Sequence, residues 1–291
     1  MKVIITGAQG QVGRSLLASV PEGVAAIGLT RAQLDVGDAD AVYRTLAQHR
    51  PHTIINAAAF TAVDRAETET EAARRVNGQG PRHLAGAAAA HGARLLHIST
   101  DFVFDGHASR PYAPDAPTAP LGVYGLTKLE GEQAVREILP QASVVLRTAW
   151  VYAAQGANFL RTMLRIMAET RQVRVVADQV GTPTAADSVA EILWGLARRP
   201  QITGVHHFTD AGVASWHDFA MAICEEATLL GLLPPGVRVA AITTAEYPTP
   251  ARRPAYSVLD CSTLLAALPV PQRHWRVTLR QVLRSLQSPP C

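Results

Sequence analysis

The chain has few cysteines, no long apolar run and no dense basic segment. Its three cysteines, Cys224, Cys261 and Cys291, are widely spaced among 291 residues. This spacing argues against a disulfide framework or a cysteine metal cluster and fits a reducing compartment. No window approaches the roughly 18 apolar residues of a membrane span, and KVIIT is too short for the apolar part of a signal peptide. We therefore expect a soluble, cytoplasmic protein with no membrane partner.

The charge is close to balanced. The net charge is +3, and the basic residues are scattered apart from short pairs such as Arg252-Arg253. Nothing resembles the basic stripe of a nucleic-acid binder, so we expect no nucleic-acid partner. Apolar residues make up 48% and charged residues 18% of the chain, which allows a sizeable core and argues against disorder.

Short apolar runs alternate with helical segments over the first half of the chain. The pattern predicts strands at 2–6, 24–29, Leu34–Val36, 53–59, 94–99 and 143–148. It predicts helices at 11–19, 39–49 and 126–138, and two helical stretches within 67–90 around residues 77–81. This alternation indicates an α/β fold with a doubly wound parallel sheet of the Rossmann type.

A glycine-rich turn joins the first strand to the first helix. In GAQGQVGRSL the glycines Gly7, Gly10 and Gly13 follow a G-x-x-G-x-x-G spacing. Gly7 suits the positive φ of a tight turn, Gly10 allows backbone to approach a pyrophosphate, and Gly13 allows close packing of helix on strand. The free N–H groups of the helix then face the phosphates. The turn predicts a dinucleotide site, and the absence of Gly-Lys-Ser/Thr disfavours a P-loop.

The end of the second strand bears on the choice between NADPH and NADH. Leu29 is followed by Thr30 and Arg31, with no acid to hold a ribose 2′-hydroxyl. A guanidinium at Arg31 would pair with a 2′-phosphate, while Asp35 would flank the adenine. The pattern favours NADPH and leaves NADH open.

Past Arg147 the pattern changes. The segment 158–169 predicts a helix with apolar residues on one face, and prolines become frequent after Pro200. We predict a dinucleotide-binding domain over 1–147. Residues 148–291 would form mainly a smaller α+β substrate-binding lobe, with some segments returning to the sheet.

Polar residues that fit carbonyl reduction lie at two further places. Ser99, Thr100 and Asp101 end a predicted strand, at the edge where ligands bind in parallel sheets. Tyr124 and Lys128 are four residues apart on a predicted helix and so share a face. An ammonium lowers the pKa of a nearby phenol, which would then pass a proton to a carbonyl oxygen that Thr100 also holds. This set predicts Thr100, Tyr124 and Lys128 as catalytic residues.

Several motifs together resemble one family. GAQGQVGRSL, NAAAFTAVDRAE, STDFVFDG, YGLTK, RTAWVY, DQVGTPT and ARRPAYSVLD are similar, in order and spacing, to the extended short-chain dehydrogenase/reductases, and within them to the dTDP-4-dehydrorhamnose reductase family. The resemblance spans essentially the whole chain. It implies reduction of the C4 ketone of a dTDP-sugar by NADPH or NADH.

The resemblance also implies roles for particular residues. Tyr124 would be the acid, Lys128 its partner and ribose anchor, and Thr100 the carbonyl partner. The implied cofactor residues are Gly10, Gln11 and Val12 at the pyrophosphate, Asp35 and Val36 at the adenine, and Ala59 and Thr61 at the nicotinamide. The further candidates around them are Gly7, Gly13, Thr30, Arg31, Ala57, Ala58 and Ser99. The implied substrate residues are Thr100, Asp101 and Trp150.

Other features stay open at this point. Arg253 would meet a diphosphate or lie in a surface pair, and Gln9 and Phe60 depart from the smaller or more polar residues expected in the family. The acidic segment 63–75 predicts a solvated helix face. We predict no metal site at the histidines of GVHHFTD and SWHDFA. Mg²⁺ at a dimer interface, known in some members of the family, has no assignable ligands here, and a homodimer is possible.

Three alternatives remain. One is a reductase of another 4-keto sugar, and another is a nucleotide-sugar epimerase on the same scaffold. A dehydratase is disfavoured, because Thr100 is followed by Asp101-Phe102 where such enzymes commonly carry Asp-Glu. The last alternative is a non-catalytic regulatory subunit, which would have no need of an intact Thr100, Tyr124 and Lys128.

Overall fold

The computed structural model describes residues 1–287. Its strands are β1 (Lys2–Thr6), β2 (Ala25–Leu29), β3 (Thr53–Asn56), β4 (Arg94–Thr100), β5 (Ser143–Thr148), β6 (Val151–Tyr152), β7 (Gln172–Val176), β8 (Val180–Gly181), β9 (Thr184–Ala185), β10 (Gly204–His207), β11 (Ala214–Ser215) and β12 (Arg238–Ile242). Its helices are α1 (Gln11–Ala18), α2 (Ala39–His49), α3 (Val63–Ala66), α4 (Thr70–Arg74), α5 (Gly80–His91), α6 (Val123–Ile138), α7 (Phe159–Thr170), α8 (Ala186–Ala197), α9 (Trp216–Leu229), α10 (Ser262–Ala267) and α11 (Trp275–Ser285).

Six parallel strands form the central sheet, in the order β10-β5-β4-β3-β1-β2. The chain leaves β1 to one side for β2 and returns to its other side for β3. This reversal of strand order opens a crevice at the carboxyl ends of β1 and β3, where ligands bind in open α/β sheets. The predicted doubly wound α/β fold is confirmed.

Helices cover both faces of this sheet, so its strands are apolar on both sides. Val3 and Ile5 of β1 pack in one core with α1, α8 and α10. Ile4, between them, packs in the opposite core with α2, α5 and α6. Alternation of side chains along each strand therefore builds two cores from one continuous apolar run.

The predicted strand Leu34–Val36 is wrong. These residues form turns, in which the Leu34 N–H donates to the Thr30 carbonyl (2.9 Å) and the Asp38 N–H to the Asp35 carbonyl (3.0 Å). Leu34 and Val36 are nevertheless buried. Two buried apolar residues separated by one polar residue give the same sequence pattern in a compact turn as in a short strand.

Two other boundaries differ from the prediction. The strand predicted over 53–59 ends at Asn56, so Ala57, Ala58 and Ala59 form a loop at the carboxyl edge. The helical stretches within 67–90 are not interrupted at 77–81, because a π turn over Arg75–Gln79 joins α4 to α5. Pro81 is the second residue of α5 and comes directly after this π turn.

The later part of the chain adds a second core, built by α7, α9 and α11 with β7 and β12. Leu160, Met163 and Met167 are buried in it, which confirms the apolar face predicted for α7. The strand β10 and the helix α8 return to the central sheet, as expected of some later segments. The functional division at residue 147 stays a prediction, and Cys291 lies outside the described residues.

No helix within residues 1–287 is both long enough and apolar enough to span a membrane.

Candidate active site

The glycine turn after β1 is closely packed on two sides. Gly7 has φ +68°, and a Cβ there would lie 2.6 Å from the backbone of Ala57 at the end of β3. A Cβ on Gly13 would lie 2.3 Å from the Gly7 carbonyl oxygen. The two glycines therefore allow β1, β3 and α1 to pack closely together. A side chain at either position would push these elements apart.

The N-terminus of α1 faces the carboxyl edge of the sheet. Gly10 is its N-cap and offers no side-chain cap, and the first turn carries no acidic residue. The first helical bond runs from the Arg14 N–H to the Gly10 carbonyl (3.0 Å). The N–H groups of Gln11, Val12 and Gly13 precede that bond and form the positive end of the helix, which suits a phosphate group.

A cavity of about 220 Å³ runs from this turn past the ends of β1, β2 and β3. Its walls are Gly7, Gln9, Gly10, Arg31, Leu34, Asp35, Val36, Ala57, Ala58, Ala59, Phe60 and Val76. The cavity thus brings together eight of the predicted cofactor residues. A glycine cradle at one end and a guanidinium at the other fit the pyrophosphate and ribose of a nicotinamide dinucleotide.

Asp35 is already paired at the far end of the cavity. Its carboxylate accepts from the Arg75 guanidinium (2.5 Å) and from the Gly37 N–H (3.0 Å). Burial raises the pKa of Asp35, but these bonds and the Arg31 charge outweigh it and hold the pKa below its usual value. Arg31 itself is exposed on the rim, so the net charge beside the end of β2 is positive.

The helix α6 is held against the end of β4 by a contact that requires glycine. A Cβ on Gly125 would lie 2.2 Å from the Phe102 carbonyl oxygen, in the short turn that follows Thr100. The Glu67 carboxylate accepts from the Val123 N–H (2.8 Å) and so caps α6. These contacts bring Tyr124, in the first turn of α6, beside Thr100.

Tyr124 and Lys128 both have displaced pKa values. Burial and, to a smaller extent, the Asp101 charge raise the pKa of Tyr124 to about 12, although the hydrogen bond with Thr100 lowers it. Burial lowers the pKa of Lys128 to about 8, and its ammonium donates to the Ile98 carbonyl (2.6 Å). The expected lowering of the phenol pKa by Lys128 is therefore absent, because burial dominates at Tyr124. A phenol in this state holds its proton at neutral pH.

The Ser99 side chain makes its hydrogen bond on the α6 side of β4. Its hydroxyl donates to Glu132 (2.5 Å), which also forms a buried ion pair with Arg147 (2.7 Å). The Ser99 side chain thus faces the packing between β4 and α6. Its predicted cofactor contact remains untested.

Two buried polar atoms beside Tyr124 have no hydrogen-bond partner. They are Asp101 Oδ2 and Thr148 Oγ1, and Thr148 lies opposite Thr100 in the register of β4 and β5. Burial raises the pKa of Asp101 to about 6. Buried polar atoms normally find partners, and these two have capacity to bond a polar ligand, although the Ser257 side chain also hydrogen-bonds to the Asp101 carboxyl. Thr148 is not among the predicted site residues, although it ends β5 as Thr100 ends β4.

The remaining predicted substrate residues lie in different settings. Trp150 follows β5 at the carboxyl edge and stacks on Trp216. Arg253 forms a bidentate ion pair with Asp64 (3.0 and 2.8 Å). Its guanidinium is therefore engaged, and it joins the late ARRPAY segment to α3.

The acidic segment 63–75 is not simply a solvated face. Asp64 pairs with Arg253 and Glu67 caps α6, in contacts that reach 189 and 56 residues along the chain. The prediction was wrong for these two residues because charge pattern alone does not reveal distant partners.

Two polar residues of the late histidine motifs, His207 and Asp218, take structural positions. His207 is buried and contacts the Tyr112 carbonyl (3.0 Å), and Asp218 forms a capping box with Ser215 at the start of α9. Among the described residues, no group of three or more His, Cys, Asp or Glu side chains has an arrangement that would hold a metal ion.

Comparison with known proteins identifies the family of this chain. The family model of the RmlD substrate binding domain matches residues 1–288. The chain belongs to this family. A family member from Streptomyces griseus, named dTDP-4-dehydrorhamnose reductase, is 44% identical over 97% of this chain and 93% of its own. A Streptomyces antibioticus relative, named a probable dTDP-4,6-dihydroxy-2-methyloxan-3-one 4-ketoreductase, is also 44% identical, over 100% and 98%.

A solved RmlD-family structure has the same fold. The crystal structure of dTDP-4-dehydrorhamnose reductase from Bacillus anthracis, in complex with NADP, has a TM-score of 0.92 and 33% identity. The similarity covers 98% of this chain and 99% of that one.

Proposed function

We propose that the protein reduces the C4 ketone of dTDP-4-dehydro-β-L-rhamnose to the alcohol of dTDP-β-L-rhamnose, with NADPH as the preferred donor. The observation that carries this proposal is the placement of Thr100, at the end of β4, and of Tyr124 and Lys128, on α6, at the same carboxyl edge of the sheet as the glycine-lined cavity. The names of the RmlD relatives, and the NADP bound to one of them, support the same reaction.

The chain's own residues supply the proton and hold the carbonyl. When bound, the reduced nicotinamide provides a hydride for C4. Tyr124 donates its proton to the C4 oxygen as negative charge develops there. The Thr100 hydroxyl donates to Asp101 Oδ1 (3.0 Å) in this structure, and it would turn from Asp101 to donate to the C4 oxygen. Because the pKa of Tyr124 is about 12, its phenol is protonated and ready to donate at neutral pH. Lys128, four residues further along the same face of α6, would anchor the ribose of the cofactor.

Cofactor preference follows from the end of β2. Arg31 would pair with a 2′-phosphate, since the neighbouring Asp35 carboxylate is neutralised by Arg75. The N–H groups of Gln11 and Val12 would meet the pyrophosphate. Ala59 and Thr61 would flank the nicotinamide.

The unpartnered atoms of Asp101 and Thr148 would bind the sugar, and Trp150 would cover it. A diphosphate role for Arg253 would require that its ion pair with Asp64 opens. Light scattering would test whether the chain forms a homodimer.

A 4-ketoreductase of another dTDP-sugar is the second candidate, because one of the relatives carries such a name. The test is NADPH and NADH oxidation, followed by absorbance, with a panel of dTDP-4-keto sugars. We expect the highest kcat/KM for dTDP-4-dehydrorhamnose with NADPH. A higher value for another sugar would change the assigned substrate. No oxidation with any 4-keto sugar would favour an epimerase or a non-catalytic subunit.

A further inference from the structure

The indole of Trp150 depends on a disfavoured backbone conformation. Trp150 has φ +49°, a left-handed value that bulky side chains rarely adopt. One residue, Ala149, separates it from Thr148, the last residue of β5, whose hydroxyl has no partner. Such conformations persist where the surroundings enforce them, and they concentrate at functional sites.

One face of this indole is covered by a second tryptophan. Trp216, the first residue of α9, stacks on Trp150 with ring centroids 3.5 Å apart and an angle of 3° between the planes. Phe159 packs against the far side of the pair, 4.7 Å from the Trp216 ring. Both tryptophans remain partly exposed, and Trp216 also packs against the second core, so the pair lies at the border between that core and solvent.

A glycine leaves room for the same indole. A Cβ on Gly181 would lie 2.6 to 2.8 Å from three ring atoms of Trp150. Gly181 does not have a positive φ, so the position needs glycine for space and not for backbone conformation. The contacting atoms belong to a rigid ring, which would have to move as a unit.

A small sheet ties these parts to the site. β8 and β11 pair so that Ala214 lies opposite Gly181, and Ser215, the residue before Trp216, lies opposite Val180. The Val180 carbonyl, in β8, accepts from the Ser257 N–H (2.8 Å), and Ser257 lies beside Asp101. Trp150, through Gly181, and Asp101, through Ser257, are thus both linked to β8.

We propose that Trp216 and Gly181 are positioning residues that fix the Trp150 indole as one wall of the sugar-nucleotide site. This inference rests on the proposed function for the identity of the ligand. Neither residue touches the reacting atoms. Their effect is on the affinity for the sugar nucleotide, through the orientation of Trp150, and not on cofactor binding.

The first experiment observes the indole without substrate. Protein labelled with 5-fluorotryptophan gives a ¹⁹F resonance for Trp150, assigned with the Trp150→Phe variant. We expect Trp216→Ala and Gly181→Ala to shift and broaden this resonance, and Trp216→Phe to do so less. Gly195→Ala, in α8 against the flexible Leu268 side chain, is the matched control and leaves it unchanged. An unchanged resonance in Trp216→Ala would overturn the proposal.

The second experiment measures kinetics with dTDP-4-dehydrorhamnose. Trp216→Ala raises KM for the sugar by about five-fold, the scale of one aromatic pair, and KM for NADPH by less than two-fold. In the double variant, Gly181→Ala adds less than it does alone, because the indole then has room to move. Equal effects on both KM values, or additive effects, contradict the positioning role. If none of the 4-keto sugars causes the wild type to oxidise NADPH, the proposed function fails. The ¹⁹F measurement still decides whether Trp216 and Gly181 hold the Trp150 indole.

Discussion

The two edges of the central sheet use polar groups in opposite ways. At the amino edge lies a cavity of about 590 Å³, larger than the one at the glycine turn, with Arg94 and His52 among its walls. The terminal nitrogens of Arg94 donate to the carbonyls of Leu196 and Ile202. At the carboxyl edge two atoms, Asp101 Oδ2 and Thr148 Oγ1, are buried without partners. Judged by cavity volume, the amino edge would be the ligand site. Judged by polar atoms that are free to bond a ligand, the carboxyl edge would be.

The direction of the helices explains this difference. In a doubly wound sheet the helices run opposite to the strands, so their positive N-termini gather at the carboxyl edge and their negative C-termini at the amino edge. The carbonyl of Leu196 belongs to the last turn of α8, and Arg94 satisfies it as a C-terminal cap. The N-terminus of α1 has no such cap. Arg94 is therefore a structural cation, although its Nε lacks a partner.

The largest effect should come from Tyr124→Phe at the carboxyl edge. Loss of the proton donor should lower kcat by at least about 100-fold, the scale of general acid catalysis. The dissociation constant for NADPH, measured by fluorescence titration, should change less than two-fold. Tyr43→Phe on the exposed face of α2 is the matched control and should leave kcat intact. Unchanged turnover in Tyr124→Phe would show that another group is the acid.

The next effect concerns the choice of cofactor. Arg31→Glu should raise KM for NADPH by about ten-fold or more, because a charge-assisted bond is replaced by repulsion. KM for NADH should change only a few-fold. Arg44→Glu, an exposed change of equal charge on α2, serves as the control. Equal losses with both cofactors would remove Arg31 from 2′-phosphate recognition.

A smaller effect should follow from pH. The pKa of Lys128 is about 8, so its ammonium loses its proton as the pH rises through that value. KM for NADPH should therefore rise above pH 8, since Lys128 then anchors the ribose less strongly. In Lys128→Arg this limb should move to higher pH, because a guanidinium remains charged. The same limb in both proteins would assign it to a different group.

The smallest effect on activity should come from Arg94→Met at the amino edge. The free energy of unfolding should fall by about 2 kcal/mol as two buried carbonyls lose their donors, measured by urea denaturation. Yet kcat and both KM values of the folded enzyme should stay within two-fold. A ten-fold loss of kcat would mean that the amino edge participates in function and would break the comparison.

Local features of the chain predicted much of this architecture. The turn at Gly7 and the pair Tyr124 and Lys128 depend on neighbours within four or six residues, and sequence spacing reveals such relations. The alternation of strands and helices likewise predicted the parallel sheet. Leu34 and Val36 were misassigned because burial in a turn imitates a strand.

Long-range contacts account for what the sequence did not show. The Trp150–Trp216 stack joins residues 66 positions apart, and neither residue carries a pattern that reveals it. The bond from Arg253 to Asp64 spans 189 positions. The pKa of Tyr124 also depends on burial, which spacing does not report, and so its direction was predicted incorrectly.

The contact at Gly125 has a consequence for reading other sequences. A Tyr-x-x-x-Lys pattern occurs often by chance, but a backbone oxygen 2.2 Å from any Cβ at the second position restricts that position to glycine. Glycine makes up about 7% of residues in proteins. A search for Tyr-Gly-x-x-Lys after a Ser-Thr strand end would therefore discard more than nine in ten chance matches while it keeps chains that pack their tyrosine helix in this way.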